Sequence, residues 1–126
     1  VKKKIASVAA ALAVLGGTAV AAAPTASAVS CYDLSVSKYV GNYPNDNVAI
    51  GMFRTTTACR DINIRTTKVA SAKVCFGRIG DSSNCQSTFK STKNVWRPAA
   101  YNVYSGTDFY LLFRKPVGGF TVHVAA

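Results

Sequence analysis

Few residues in this chain are equipped for catalysis. General acid–base chemistry near neutrality needs His, Asp or Glu, usually working in pairs. The sequence offers one histidine, His123, and five acidic residues, all of them aspartate. His123 alternates with Val122 and Val124, so in an extended strand it points away from the face those valines bury. A serine hydrolase could be assembled from His123, an aspartate and a serine, but no Gly-x-Ser-x-Gly elbow supports it. Paired carboxylates for sugar hydrolysis would have to come from Asp33, Asp46, Asp61, Asp81 and Asp108. Three of these fall at expected turns or strand starts, where aspartate commonly bonds nearby backbone. Asp61 follows Arg60 and reads as half of a local ion pair or as a turn cap. The chain has no Gly-rich phosphate loop and no calcium-loop pattern. The expectation is a protein without catalytic residues, cofactor or metal, and not an enzyme.

The four cysteines, Cys31, Cys59, Cys75 and Cys85, carry a different chemistry. A zinc site is disfavoured because no Cys-x-x-Cys pair exists and only one histidine is available. An even cysteine count in a short exported chain reads as two disulfides. Four cysteines allow three connectivities, and Cys75–Cys85 is favoured. Gly80-Asp81 lies midway between them, and a hairpin turning there sets the two cysteines opposite each other at disulfide distance. Cys31–Cys59 follows by elimination and would tie down an N-terminal arm.

Export itself is read from residues 1–28. Lys2, Lys3 and Lys4 precede an apolar run from Ile5 to Leu15, and Ala26-Ser27-Ala28 supplies the small residues a signal peptidase recognises. Residues 1–28 are therefore expected to be a cleaved secretory signal peptide, helical only in the precursor. Residues 29–126 then form one small secreted, extracellular domain. The whole chain carries a formal charge of +10. Removing three leader lysines from its 15 basic residues leaves 12 against 5 acidic ones, a net +7. Such a basic protein favours acidic partners: another extracellular protein or an anionic cell-wall polymer. No dense Lys/Arg block marks a specific nucleic-acid module. No later stretch of about 20 apolar residues suggests a membrane span.

Positioning falls to short alternating segments rich in Val, Ile, Tyr, Phe and Thr. Strands are expected at 35–40, 48–53, 61–65, 72–76, 86–90, 95–104 with a bend at Pro98, 108–114 and 119–125. Turn signals separate them at Gly41-Asn42, Tyr43-Pro44-Asn45-Asp46, Gly80-Asp81, Ser105-Gly106 and Pro116-Val117-Gly118-Gly119. No segment after residue 28 keeps a long helical period. The fold class is thus all-β: a small antiparallel β-sandwich of 7–8 short strands with two disulfides. The expected core is Val48, Ile50, Met52, Ile62, Ile64, Val74, Phe76, Val103, Phe109, Leu111, Phe113, Phe120, Val122 and Val124. Trp96 and Tyr101 are expected to be at least partly buried. Phe109, Leu111 and Phe113 share one face of their strand, while Tyr110 and Leu112 occupy the other, where a one-sided sheet would show polar residues. That second face is expected to be either covered by the chain's own loops or a contact surface, with internal cover favoured.

Two groups of residues are candidates for binding. One is the N-terminal arm and first turn, with Tyr32, Tyr39, Tyr43, Pro44 and Asn45, since exposed tyrosine gives large contact area at low entropic cost. The other is basic: Arg54, Arg60, Arg65, Lys68, Arg114 and Lys115. Of these the site residues singled out are Tyr39, Tyr43, Pro44, Asn45, Arg60, Arg65, Arg114 and Lys115. Several segments resemble small secreted actinobacterial disulfide-containing β-sandwich proteins: Ala58 to Arg65, Lys73-Val74-Cys75-Phe76, Cys85 to Lys90, and Trp96 through Phe109. Size, export and disulfides also resemble the small adaptor subunit of umbrella toxin particles. That resemblance implies a scaffold role with protein partners. The function expected is a secreted non-enzymatic protein-binding module, an adaptor or accessory subunit of an extracellular complex, docking through an unpaired strand edge. The alternatives are a cationic protease inhibitor or antimicrobial effector, using a protruding Gly41–Asn47 loop, and a cell-wall polymer binder with a row of exposed aromatics.

Overall fold

The computed structural model of the chain describes residues 30–126, and the expected signal peptide lies outside the described residues. A single 3-10 turn, Cys31–Leu34, leads into eight strands: β1 Val36–Val40, β2 Val48–Arg54, β3 Ile62–Thr66, β4 Ser71–Phe76, β5 Phe89–Lys90, β6 Arg97–Ala100, β7 Asp108–Phe113 and β8 Phe120–Ala125. They form two four-stranded antiparallel sheets, β1-β8-β3-β6 and β2-β7-β4-β5. Alternation dictates the core between them. Ile62 and Ile64 of β3 and Val122 and Val124 of β8 face Val74 of β4 and Phe109, Leu111 and Phe113 of β7, all buried. Phe53 stacks with Phe109 at 5.4 Å, and Phe113 meets Phe120 edge-on at 5.3 Å. Among the described residues no helix is long and apolar enough to cross a membrane.

Both disulfides pair as the spacing predicts, Cys31 with Cys59 and Cys75 with Cys85. The second closes the β4–β5 connection, which turns at Gly80-Asp81 with φ +105° at Gly80. Residues 77–86 fold back over β7, and Tyr110 donates its hydroxyl hydrogen to the Asp81 carbonyl at 2.8 Å. That buries Tyr110, so the second face of β7 is covered there by the chain's own loop.

Three local expectations change. Val48, Ala49 and Ile50 pair with Phe113, Leu112 and Leu111, but the next partners are Phe53 and Phe109. Gly51 and Met52 thus oppose Tyr110 alone, which is a β-bulge. The extra residue reverses the alternation, so Phe53 turns into the core and Met52 is left 45% exposed. Gly51 suits this close approach, because a Cβ there would lie 2.9 Å from the Tyr110 Cβ. The sixth strand ends at Ala100 instead of continuing to Tyr104. Its loop is captured by the β2–β3 connection: Arg60 Nε donates to Asn102 Oδ1 at 2.8 Å, and Asn102 N donates to Asp61 Oδ1 at 2.8 Å. Tyr101 is therefore exposed, not partly buried. Finally, the fifth strand shrinks to Phe89–Lys90. Residues 84–86 still bond β4, through Phe76 N to Asn84 O and Gln86 N to Val74 O.

Candidate functional site

The connections sort to two ends of the sandwich. Loops 41–47, 67–70 and 114–119 share one end, where Val40 pairs with Phe120 and Val48 with Phe113. The Cys31–Leu34 turn and segments 55–61, 77–88 and 101–107 share the other. Tyr43, Pro44, Asn45, Arg114 and Lys115 lie at the first end, and Arg60 lies at the second. Tyr39 and Arg65 lie on neither, since both project from the outer face of the β1-β8-β3-β6 sheet. The eight candidate residues therefore do not converge into one patch. Of the remaining basic candidates, Arg54 pairs with Asp108 at 3.1 Å, and Lys68 donates to the Gly118 carbonyl at 2.7 Å.

The outer sheet face holds the most organised cluster. Register aligns Ser37 of β1, His123 of β8 and Arg65 of β3 in one row across three strands. Trp96, just before β6, extends the row. The Arg65 guanidinium carbon sits 5.1 Å from the Trp96 ring centroid, a cation–π arrangement. His123 meets the same indole edge-on at 6.5 Å. Tyr32 packs on it from another side, with centroids 4.9 Å apart and planes tilted by 43°. Tyr32 reaches this place because the Cys31–Cys59 bond pins its 3-10 turn. The turn is capped by Ser30, whose hydroxyl oxygen accepts from Tyr32 N, while Asp33 accepts from Ser30 N. Tyr39, in the adjacent row opposite Thr121, is 71% exposed and rests its hydroxyl over Gly119, which has no Cβ to meet it.

A hydrogen bond of 2.7 Å links Ser37 Oγ and His123 Nδ1. Partial burial, and next the nearby Arg65 charge, hold the imidazole below its ordinary pKa of 6.5. A hydroxyl beside a histidine evokes nucleophilic catalysis, which needs a base strengthened by a carboxylate. Here partial burial and the Arg65 charge instead weaken the ring as a base. Arg65 forms no ion pair: Arg54–Asp108 is the one salt bridge among the described residues. The arrangement is thus a half-buried aromatic platform holding a guanidinium that no side chain among the described residues pairs with. No family model matches the chain, and neither a curated protein nor a solved structure does.

The four sheet edges look different. Edge strands invite pairing unless something blunts them. β1 carries Lys38 on its core-facing side, beside an open 270 Å³ cleft shared with Met52 and Val36. β2 has its bulge, β5 is two residues long, and β6 contains Pro98 and a register shift. Each edge therefore bears a feature that discourages another strand.

Sequence reasoning did not assign Trp96 or Ser37 to a site. Their signal is spatial: Ser37 and His123 are 86 residues apart, and only strand order makes them neighbours.

Proposed function

We propose that this chain is a secreted, non-enzymatic protein-binding module, an adaptor or accessory subunit of an extracellular complex, which meets its partner on the outer face of the β1-β8-β3-β6 sheet. The observation that carries this reading is Arg65 stacked on Trp96 with Tyr32 against the same indole. Trp, Tyr and Arg dominate the residues on which binding energy concentrates at interfaces. An arginine already held by an aromatic ring loses little freedom on binding a carboxylate. The weakened base at His123 and the blunted edges both favour a binding face over a reaction centre or strand addition. A toxin particle is one complex such an adaptor would serve.

The test is recovery of the exported protein, with whatever accompanies it, from native culture supernatant. A larger exported partner is expected to co-purify. Trp96→Ala and Arg65→Ala should each weaken that association by about tenfold or more, as interface anchors do. Recovery only as a free monomer overturns the reading. The wall-polymer alternative gains from Tyr32, Trp96 and Tyr39 sharing a face. Sedimentation with purified cell wall that survives raised salt and is lost in Trp96→Ala would favour it. The inhibitor alternative needs a protruding loop, whereas Gly41–Asn47 is tied back, with Tyr43 N donating to Pro116 O at 2.8 Å.

A further inference from the structure

Folding sorts the charges of this protein. The end formed by loops 41–47, 67–70 and 114–119 gathers Lys68, Lys73, Lys90, Lys93, Arg114 and Lys115, all exposed, against Asp46 alone. The opposite end holds Arg54, Arg60 and Arg78 against Asp33, Asp61, Asp81 and Asp108. One end is thus about five charges positive, while the other is slightly negative. The basic end also carries exposed apolar side chains. Val69 is 54% exposed, Val117 67% and Tyr43 49%, each in a different loop of the three. Val69 and Val117 flank a shallow 220 Å³ hollow that Lys90, Arg114 and Lys115 border.

The three loops are cross-tied. Tyr43 N donates to Pro116 O, Lys68 Nζ to Gly118 O, and Gly118 N to Asn42 Oδ1 at 2.6 Å. Ser91 N donates to Ala70 O, and Arg114 N to Ser71 O. The loop tips are therefore held together as one platform, with apolar points ringed by cations.

We infer that this end docks onto the surface of an anionic lipid bilayer, the basic residues meeting headgroup phosphates while Val69, Val117 and Tyr43 enter the interfacial layer. Charge complementarity selects an anionic surface, since each basic residue close to one raises partitioning roughly fivefold. The apolar tips select lipid over a soluble phosphate polymer, which would offer them nothing to be buried in. The inference is independent of the partner face, which lies on the outer flat of the β1-β8-β3-β6 sheet.

Protein collected from the medium of an exporting host can be sedimented with vesicles of phosphatidylcholine containing phosphatidylglycerol, and with phosphatidylcholine alone. Binding only to the anionic vesicles is expected, falling as salt rises. Replacing Lys90, Arg114 and Lys115 by Gln should reduce it about a hundredfold. The same change at Arg54, Arg60 and Arg78 should have little effect. Val69→Ser with Val117→Ser should lower it severalfold at constant charge. In Val117→Trp, addition of anionic vesicles should shift the emission to the blue; Trp96, the single native tryptophan, lies on the sheet face and should not respond. The inference is overturned by equal binding to both vesicle types, by equal losses from neutralising either end, or by an unshifted Val117→Trp emission. It is also overturned if the serine variants bind as the parent does and poly(glycerol phosphate) competes fully, because the end would then be a phosphate-polymer site.

Discussion

At Trp96 three side chains share one indole, and the neighbour with a measurable titration is His123. Its folded pKa lies below the unfolded value of about 6.5, because burial and then Arg65 disfavour the imidazolium. The unfolded chain therefore binds more protons than the folded one in the window just below pH 6.5. Stability is unaffected by His123 above that window and falls as the pH drops through it. Asp81 acts in a separate range: hydrogen bonds from Ser83 lower its pKa, so its contribution is present above the usual carboxylate range and is lost below it. Imidazole resonances followed by NMR should give a His123 midpoint below 6.5, and Arg65→Gln should raise it. Between pH 7.5 and 5.5 the parent protein should lose more thermal stability than His123→Asn. A midpoint that Arg65→Gln leaves unmoved would mean that Arg65 and the ring are not neighbours, and a parent midpoint at 6.5 that the ring is not buried. At this scale the sequence revealed that His123 points outward, from Val122 and Val124 on either side. It could not reveal Ser37, Arg65 and Trp96 around it, because those contacts exist only once β1, β8, β3 and the start of β6 lie side by side.

Single elements show what pattern reading captures and where it slips by one residue. Strand positions and both disulfides were legible, because two-residue alternation and a central Gly-Asp turn are local signals. The β2 bulge was not: alternation alone carries Ile50 and Met52 to one face, and nothing in Gly51-Met52-Phe53 announces an extra residue. The bulge makes Phe53→Ala costly, about 3–5 kcal/mol, since it empties a buried site beside Phe109. Met52→Ala should cost far less. Gly51→Ala should cost about 1–3 kcal/mol by forcing a methyl against Tyr110. Chemical denaturation of the three variants would reveal the order; a larger loss at Met52 than at Phe53 would place the bulge elsewhere. The disulfides differ in what they position. By loop length, removing Cys75–Cys85 should cost about 3 kcal/mol and Cys31–Cys59 about 3.5 kcal/mol. Only the second bond holds the turn bearing Tyr32 against Trp96. Replacing Cys31 and Cys59 by Ala should therefore shift the emission of folded protein to the red, while replacing Cys75 and Cys85 should leave it unchanged.

For the molecule as a whole, charge is where chain order and spatial order diverge most. Along the sequence the basic residues are spread with no block to mark a surface. In the sandwich, the connections after β1, β3, β5 and β7 all return to one end and carry Lys68, Lys93, Arg114 and Lys115, with Lys73 and Lys90 in the adjoining strands β4 and β5. Four of the five aspartates sit in or beside the segments of the other end. The consequence can be isolated by holding net charge fixed. Replacing Lys68, Lys90 and Lys115 by Gln, or Arg54, Arg60 and Arg78 by Gln, removes three positive charges in either case. A uniformly charged body would give the two variants equal retention on a cation exchanger. At 0.1 M salt the screening length is about 10 Å, so an adsorbed protein senses mainly the charges on the side it presents. The parent should adsorb by its basic end. The lysine variant should accordingly elute at clearly lower salt than the arginine variant, which keeps all six cations of that end. Coincident elution would mean that the basic residues are as dispersed in space as they are along the chain, and the oriented approach to an anionic surface would lose its basis.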